Sequence, residues 1–206
     1  MTLAADVALC LAVDCSSSVD FDEFGLMLDG YGWALAQPEV AAAIGAGPAG
    51  AAAFLVLFWS GPGTAEVVLP WTVVRPAGAA AFGERMAALP RSVPPGATAL
   101  GEALGIAVEV TELARALAPR LVIDVSGDGR SNAGPPPGPA RDRAVAAGMT
   151  VNALAVLDEE PDLVAHFAEE VIGGPGAFVM TAATYGDFAD AILRKLLREL
   201  RGAPVV

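Results

Sequence analysis

The chain has 206 residues, 24 acidic against 12 basic side chains for a formal charge of −12, and a hydrophobic fraction of 54% with only 17% charged residues. That balance excludes a nucleic-acid-binding surface, which needs clustered Lys and Arg, and a composition so apolar excludes a disordered chain or a simple amphipathic bundle. The length fits a single domain, residues 1–206, with strands covered on both faces, and no stretch reaches the roughly 20 apolar residues of a transmembrane helix.

Val7 to Val13 (VALCLAV) is short and continuously apolar, which predicts a buried strand. It runs into Asp14-Cys15-Ser16-Ser17-Ser18, so Asp14, Ser16 and Ser18 form D-x-S-x-S. A helix start follows: Asp20 suits an N-cap, Glu23 stands three residues on, and Phe24, Met27, Leu28, Tyr31 and Leu35 recur at helical spacing. The motif therefore occupies a strand-to-helix turn, where ligands collect in open α/β sheets. Its oxygen donors suit a hard cation such as Mg2+, which takes an oxygen octahedron at about 2.1 Å. The plainer alternative is a turn rich in Ser and Asp because those side chains bond nearby backbone.

Cys10 and Cys15 would lie about 16 Å apart along an extended strand, too far for a disulfide, and read as core thiols. Gly45 to Gly50 matches G-x-G-x-x-G but precedes a strand, whereas a dinucleotide fingerprint follows one, so it is a loop. Ala53 to Trp59 and Ala65 to Trp71 predict an antiparallel hairpin across a Gly-rich link, with one strand at the sheet edge and the two Trp in packing roles. Arg75 to Leu89 predicts a helix. Pro94 to Ala97 then delivers Thr98 to the start of another helix reaching about Leu117, where Thr98 suits an N-cap or a hydroxyl donor to the same cation.

Arg120 to Val125 predicts a fourth strand running into Ser126-Gly127-Asp128-Gly129, which puts a second carboxylate, Asp128, at a strand's carboxyl end. Asp124 lies inside that strand, where a charge needs a partner. By alternation it shares a face with Ser126 and Asp128. It either supports the site from behind or bonds backbone amides of a neighbouring helix. A helix over 140–147, a fifth strand from Thr150 to Leu157, an acidic cluster over 158–162 that reads as a solvated cap on the next helix or else as a rim that selects partners, and a sixth strand from Ala177 to Met180 follow. His166, the single histidine, reads as a surface or packing residue. The last helix, from about Tyr185 to Arg201, buries a leucine stripe and gathers Arg194, Lys195, Arg198 and Arg201 near its C-terminus, where cations offset the dipole.

Together these elements predict an α/β fold: a doubly wound, Rossmann-like, mostly parallel six-stranded sheet with one antiparallel edge strand. Strand one next to strand four would set Asp14 beside Asp128 at the switch point, with Thr98 above them. At these residues the chain resembles the von Willebrand factor type A superfamily and its metal-ion-dependent adhesion site, and WSGPG at Trp59, VIDVSGDG at Val122 and GGPGAFV at Gly173 resemble a bacterial family of uncharacterised type A-like proteins within it. The resemblance covers Asp6 to Leu200 and implies Asp14, Ser16, Ser18, Thr98 and Asp128 as the ligands of Mg2+, Mn2+ or Ca2+. Ser17 stands where the superfamily usually has Gly, and Gly127 where it usually has Thr; neither change removes a metal-coordinating oxygen.

The function implied is divalent-metal-dependent protein binding, with a partner Asp or Glu at an open coordination position and no membrane insertion. The competing class is a Mg2+-dependent phosphatase with Asp14 as nucleophile, but position 16 is Ser rather than a second carboxylate and the one lysine, Lys195, lies in the last helix. A metal-free scaffold is the third reading, and the chain is expected not to be an enzyme. The start lacks the basic n-region of a signal peptide, so the chain as written reads as cytoplasmic, or as periplasmic or secreted if Met1 replaces a removed signal.

Overall fold

The computed structural model describes residues 4–158, 160 and 162–202. Strands β1 (Val7–Asp14), β2 (Ala52–Trp59), β3 (Ala65–Val74), β4 (Arg120–Gly127), β5 (Thr150–Val156) and β6 (Val179–Ala182) form one sheet in the order β3-β2-β1-β4-β5-β6. All neighbours are parallel except β3, which runs antiparallel on β2 at the edge. The expected fold class and the central pairing of strands one and four are both present. Every residue of β1 and β2 is buried, which is why they are apolar throughout, whereas β3 is largely open to solvent. Its ladder to β2 slips where Pro70 stands, as a residue with no N–H to donate tolerates only an edge.

Helices cover both faces. Val7, Leu9, Leu11 and Val13 pack toward α1 (Phe21–Leu35), α2 (Pro38–Ile44), α3 (Ala79–Ala87) and α7 (Phe188–Arg201). Ala8, Cys10 and Ala12 face α4 (Leu100–Glu112), α5 (Gly138–Ala146) and α6 (Leu163–His166). Both cysteines are free and buried. Trp59 is buried and Trp71 donates its indole N–H to the Val110 carbonyl at 3.0 Å, packing roles as expected. Among the described residues no helix is long and apolar enough to cross a membrane.

Several boundaries differ from the sequence reading. The helix expected from Arg75 opens as a 3-10 turn over Pro76–Gly78 before α3. The sixth strand lies two residues later than expected because Gly174 and Gly176 both adopt positive φ and prolong the turn. Lys195, expected among the cations that offset the dipole of the last helix, is fully buried and ion-paired with Asp124. The alternation along β4 was read correctly, but it aims Asp124 at α7, so this carboxylate neither supports the site from behind nor bonds helix amides. Lys195 also meets Glu199 at 2.8 Å, and the Asn152 side chain donates to the same Glu199 oxygen at 2.9 Å. Burial, with Asp124 nearby, pushes the Glu199 carboxyl up, against the pull of Lys195.

Candidate metal centre

Beyond β1 the crossover to α1 leads toward β2, whereas the one beyond β4 leads toward β5, so the carboxyl ends of β1 and β4 flank the switch point of the sheet. Asp14 ends β1 and is fully buried; Asp128 follows β4 and is 1% exposed. The Asp20–Glu23 capping box starts α1 as expected, with the Glu23 N–H donating to Asp20 at 2.8 Å and the Asp20 N–H to Glu23 at 2.7 Å. Residues 15–19 are thereby held to a tight turn.

The structure brings the D-x-S-x-S motif and Asp128 into direct contact. Asp14 accepts from the Ser16 N–H at 2.7 Å through Oδ1, while its Oδ2 is buried without any hydrogen-bond partner. Ser16 Oγ and Ser18 Oγ lie 3.1 Å apart, and Ser18 Oγ donates to Asp128 Oδ1 at 2.7 Å. Thr98 stands just outside α4, whose N-cap is Ala99, and no side chain caps that helix. The N-cap role expected of Thr98 is therefore not taken, which leaves its hydroxyl uncommitted to the helix. The Thr98 N–H donates to Asn132 Oδ1 at 2.8 Å, and a Cβ placed on Gly129 would lie 3.7 Å from Thr98 Oγ1 and 3.9 Å from Ser18 Oγ. All five residues singled out in the sequence thus gather at one crevice.

Four further residues shape it. Arg91 donates to the carbonyls of Cys15, Ser16 and Val19 at 2.8, 3.0 and 2.7 Å, clamping the motif from a loop far along the chain. Tyr185 donates its hydroxyl to Asp128 Oδ2 at 2.8 Å, and burial beside the carboxylates raises its pKa and keeps it a donor. Asn132 positions Thr98. Glu160, from the acidic cluster, accepts from the Arg130 N–H at 3.2 Å and from Arg130 Nε at 3.0 Å, while Asp162 stands at the N-cap of α6 without a side-chain capping bond, so the expected cap is not formed by either; residues 159 and 161 of the cluster lie outside the described residues. Arg91, Asn132 and Tyr185 carried no local signal for the site, since each acts on a residue distant in the chain, whereas Glu160 lies in the acidic cluster visible in the sequence. His166 is half-buried and accepts weakly from the Ser131 N–H at 3.4 Å, away from the donor set.

Burial, reinforced by Asp128, pushes the Asp14 carboxyl up to about 7. Among the described residues no three His, Cys, Asp or Glu side chains gather as a metal cluster. The available donors are two carboxylates and three hydroxyls, an all-oxygen set suited to a hard divalent cation, and the orphaned Asp14 Oδ2 lacks the partner such an ion would supply.

Residues 4–204 match the family model described as "Protein of unknown function (DUF1194)", and the chain belongs to that family. No curated protein sequence matches it. Its fold is that of von Willebrand factor type A domains. A structure described as von Willebrand factor type A from Catenulispora acidiphila superposes with a TM-score of 0.64 at 17% identity, over 95% of this chain and 43% of that one. Proximal thread matrix protein 1 from the mussel byssus, with a zinc-occupied MIDAS motif, gives 0.66 at 16% identity over 97% and 49%. The pilus adhesin SpaC from Lactobacillus rhamnosus GG gives 0.65 at 14% identity over 96% and 31%. The chain spans less than half the length of each of these structures.

Proposed function

We propose that this chain is a divalent-metal-dependent protein-binding module, a single unit over residues 1–206 in which Asp14, Ser16, Ser18, Thr98 and Asp128 hold Mg2+, Mn2+ or Ca2+. The observation that carries the reading is the buried, unpartnered Asp14 Oδ2 beside the Ser16–Ser18–Asp128 hydrogen-bond chain. Two adjacent buried carboxylates repel one another and are poorly hydrated, so a cation between them relieves both penalties. A divalent ion held by these residues would supply a coordination site for a carboxylate from a protein partner. A new ionic contact at a partly dehydrated metal is strong enough to dominate an interface. The mussel matrix protein with zinc in its MIDAS motif and the pilus adhesin lend the reading support by analogy of fold.

The enzymatic alternative has little to work with. Phosphoryl transfer wants a cation on the phosphate, yet Lys195 is buried beneath α7 on Asp124, and Arg130 is engaged by Glu160 and Asp162. The test is calorimetric titration of Mg2+ and Mn2+ into the intact chain and into Asp14→Ala and Asp128→Ala. Saturable binding to the former and its loss in both variants is the expected outcome. A folded wild-type chain that takes up neither ion would reduce the reading to a statement about fold.

A further inference from the structure

Lys195 is the single lysine of the chain, every other Lys or Arg position being arginine, and it sits where no solvent reaches. Its Nζ touches Asp124 of β4, and both side chains are 0% exposed. The contact is not a hydrogen bond: neither Asp124 oxygen accepts one, although the same Nζ donates to Glu199 Oε1 at 2.8 Å. Lys195 therefore meets the carboxyl group away from the directions its oxygens offer to a donor. Glu199 is held in turn. Asn152, the neighbour of Asp124 across the β4–β5 ladder, donates to the same Oε1 at 2.9 Å, and its own Oδ1 accepts the Phe178 N–H at 3.2 Å. The Phe178 ring lies 5.8 Å from Lys195 Nζ. An amine, a carboxyl for it to react with and a second carboxyl to move protons are thus fixed together in a dry interior. Arginine could also pair with Asp124 as an ion, but only lysine becomes a nucleophilic amine on losing a proton.

We propose that Lys195 and Asp124 condense into an intramolecular amide, a covalent staple between α7 and β4 made by the folded chain itself with Glu199 as proton carrier. The proposal does not depend on the metal site. Lys195 passes one proton to Glu199, to which it already donates, and Glu199 delivers it to an Asp124 oxygen across the Nζ that both carboxyls share. The free amine attacks Cγ, a second proton moves from nitrogen to the same oxygen, and that oxygen leaves as water. One N–C bond forms and one C–O bond breaks. Both hydrogens of the water come from Nζ, Glu199 returns to its starting state, and no oxidant or other reactant enters. Burial raises the Glu199 carboxyl, which suits a group that takes up and returns a proton. The dry surroundings favour the product, because an amide is neutral whereas the ion pair keeps two charges out of water. Holding the groups together in the fold is worth an effective concentration of about 100,000 M or more. A cavity of about 50 Å³, lined by Asn152 and Glu199 among others, can take the released water, which needs only about 10–15 Å³.

Intact-mass spectrometry of the full chain, folded and then denatured, tests this. The wild type is expected to weigh one water less than its sequence, and proteolysis is expected to release a branched peptide whose fragment ions join Lys195 to Asp124. Lys195→Arg and Asp124→Ala are expected to regain the full sequence mass. Because those changes disturb the core, the wild type carries the decision. A folded wild-type chain at full sequence mass would overturn the proposal, and so would loss of a water without the Lys195–Asp124 peptide. The linked form is expected to accumulate about a hundredfold more slowly in Glu199→Gln, which can hold Lys195 but relays no proton. Linkage at the wild-type rate in a Glu199→Gln chain shown to be folded by circular dichroism would overturn the role given to Glu199.

Discussion

Asp14 divides its carboxylate between two surroundings: Oδ1 rests on the Ser16 amide and Oδ2 has no partner. Its pKa, raised to about 7 by burial and by Asp128, makes proton and metal rivals for the same group. A carboxyl whose folded pKa is raised adds stability that is complete below its unfolded pKa and is lost as the pH climbs through the folded value. A divalent cation binds only the ionised form. Mg2+ should therefore raise the unfolding temperature more at about pH 8 than at about pH 5.5. Thermal scans with and without the ion test this, and equal shifts at the two pH values would speak against a site built on Asp14.

At the scale of the element, the interest moves to α7 on β4 and β5. This helix seats the one lysine of the chain under itself, against Asp124, with Glu199 one turn further on and held by Asn152. A buried pair is strongly destabilised by removal of one partner, because the other is left charged in a dry place, whereas replacing both by apolar groups is often close to neutral. Lys195→Met alone should cost about 3–5 kcal/mol, and Asp124→Leu with Lys195→Met distinctly less. Urea unfolding of the two variants measures this. A double variant no better than the single would mean that the two groups are not coupled as described. The same helix is led in by Tyr185, whose hydroxyl touches Asp128, so α7 is tied to the candidate site at its start and to the sheet centre by Lys195.

For the whole molecule, two apolar layers flank one sheet whose strands β1 and β2 are buried throughout. Neither layer can be exposed without stripping the sheet that supports the other. Heat unfolding is therefore expected as one cooperative transition, with calorimetric and van't Hoff enthalpies in agreement; two resolved transitions would divide the chain into separate units. The net charge of −12 suits the proposed chemistry, since an acidic surface concentrates cations near a crevice that wants one.

The sequence by itself determined the sheet and put forward the candidate donors. Continuous apolar runs over Val7 to Val13 and Ala53 to Trp59, short and bounded by turn residues, read as strands covered on both faces, and D-x-S-x-S at a strand's end, Thr98 before a helix and Asp128 after a strand are local patterns that survive folding unchanged. Only the tertiary structure decided which distant residues adjoin the candidate site. Arg91, Asn132 and Tyr185 each reach it from another loop or helix, and no periodicity records such a contact. It also decided the fate of two charges that local reasoning misplaced. Lys195 shares its helix with solvated arginines, and Asp124 shares a strand face with the site; what buries one upon the other is the docking angle of α7 on the sheet, a property that neither segment carries alone.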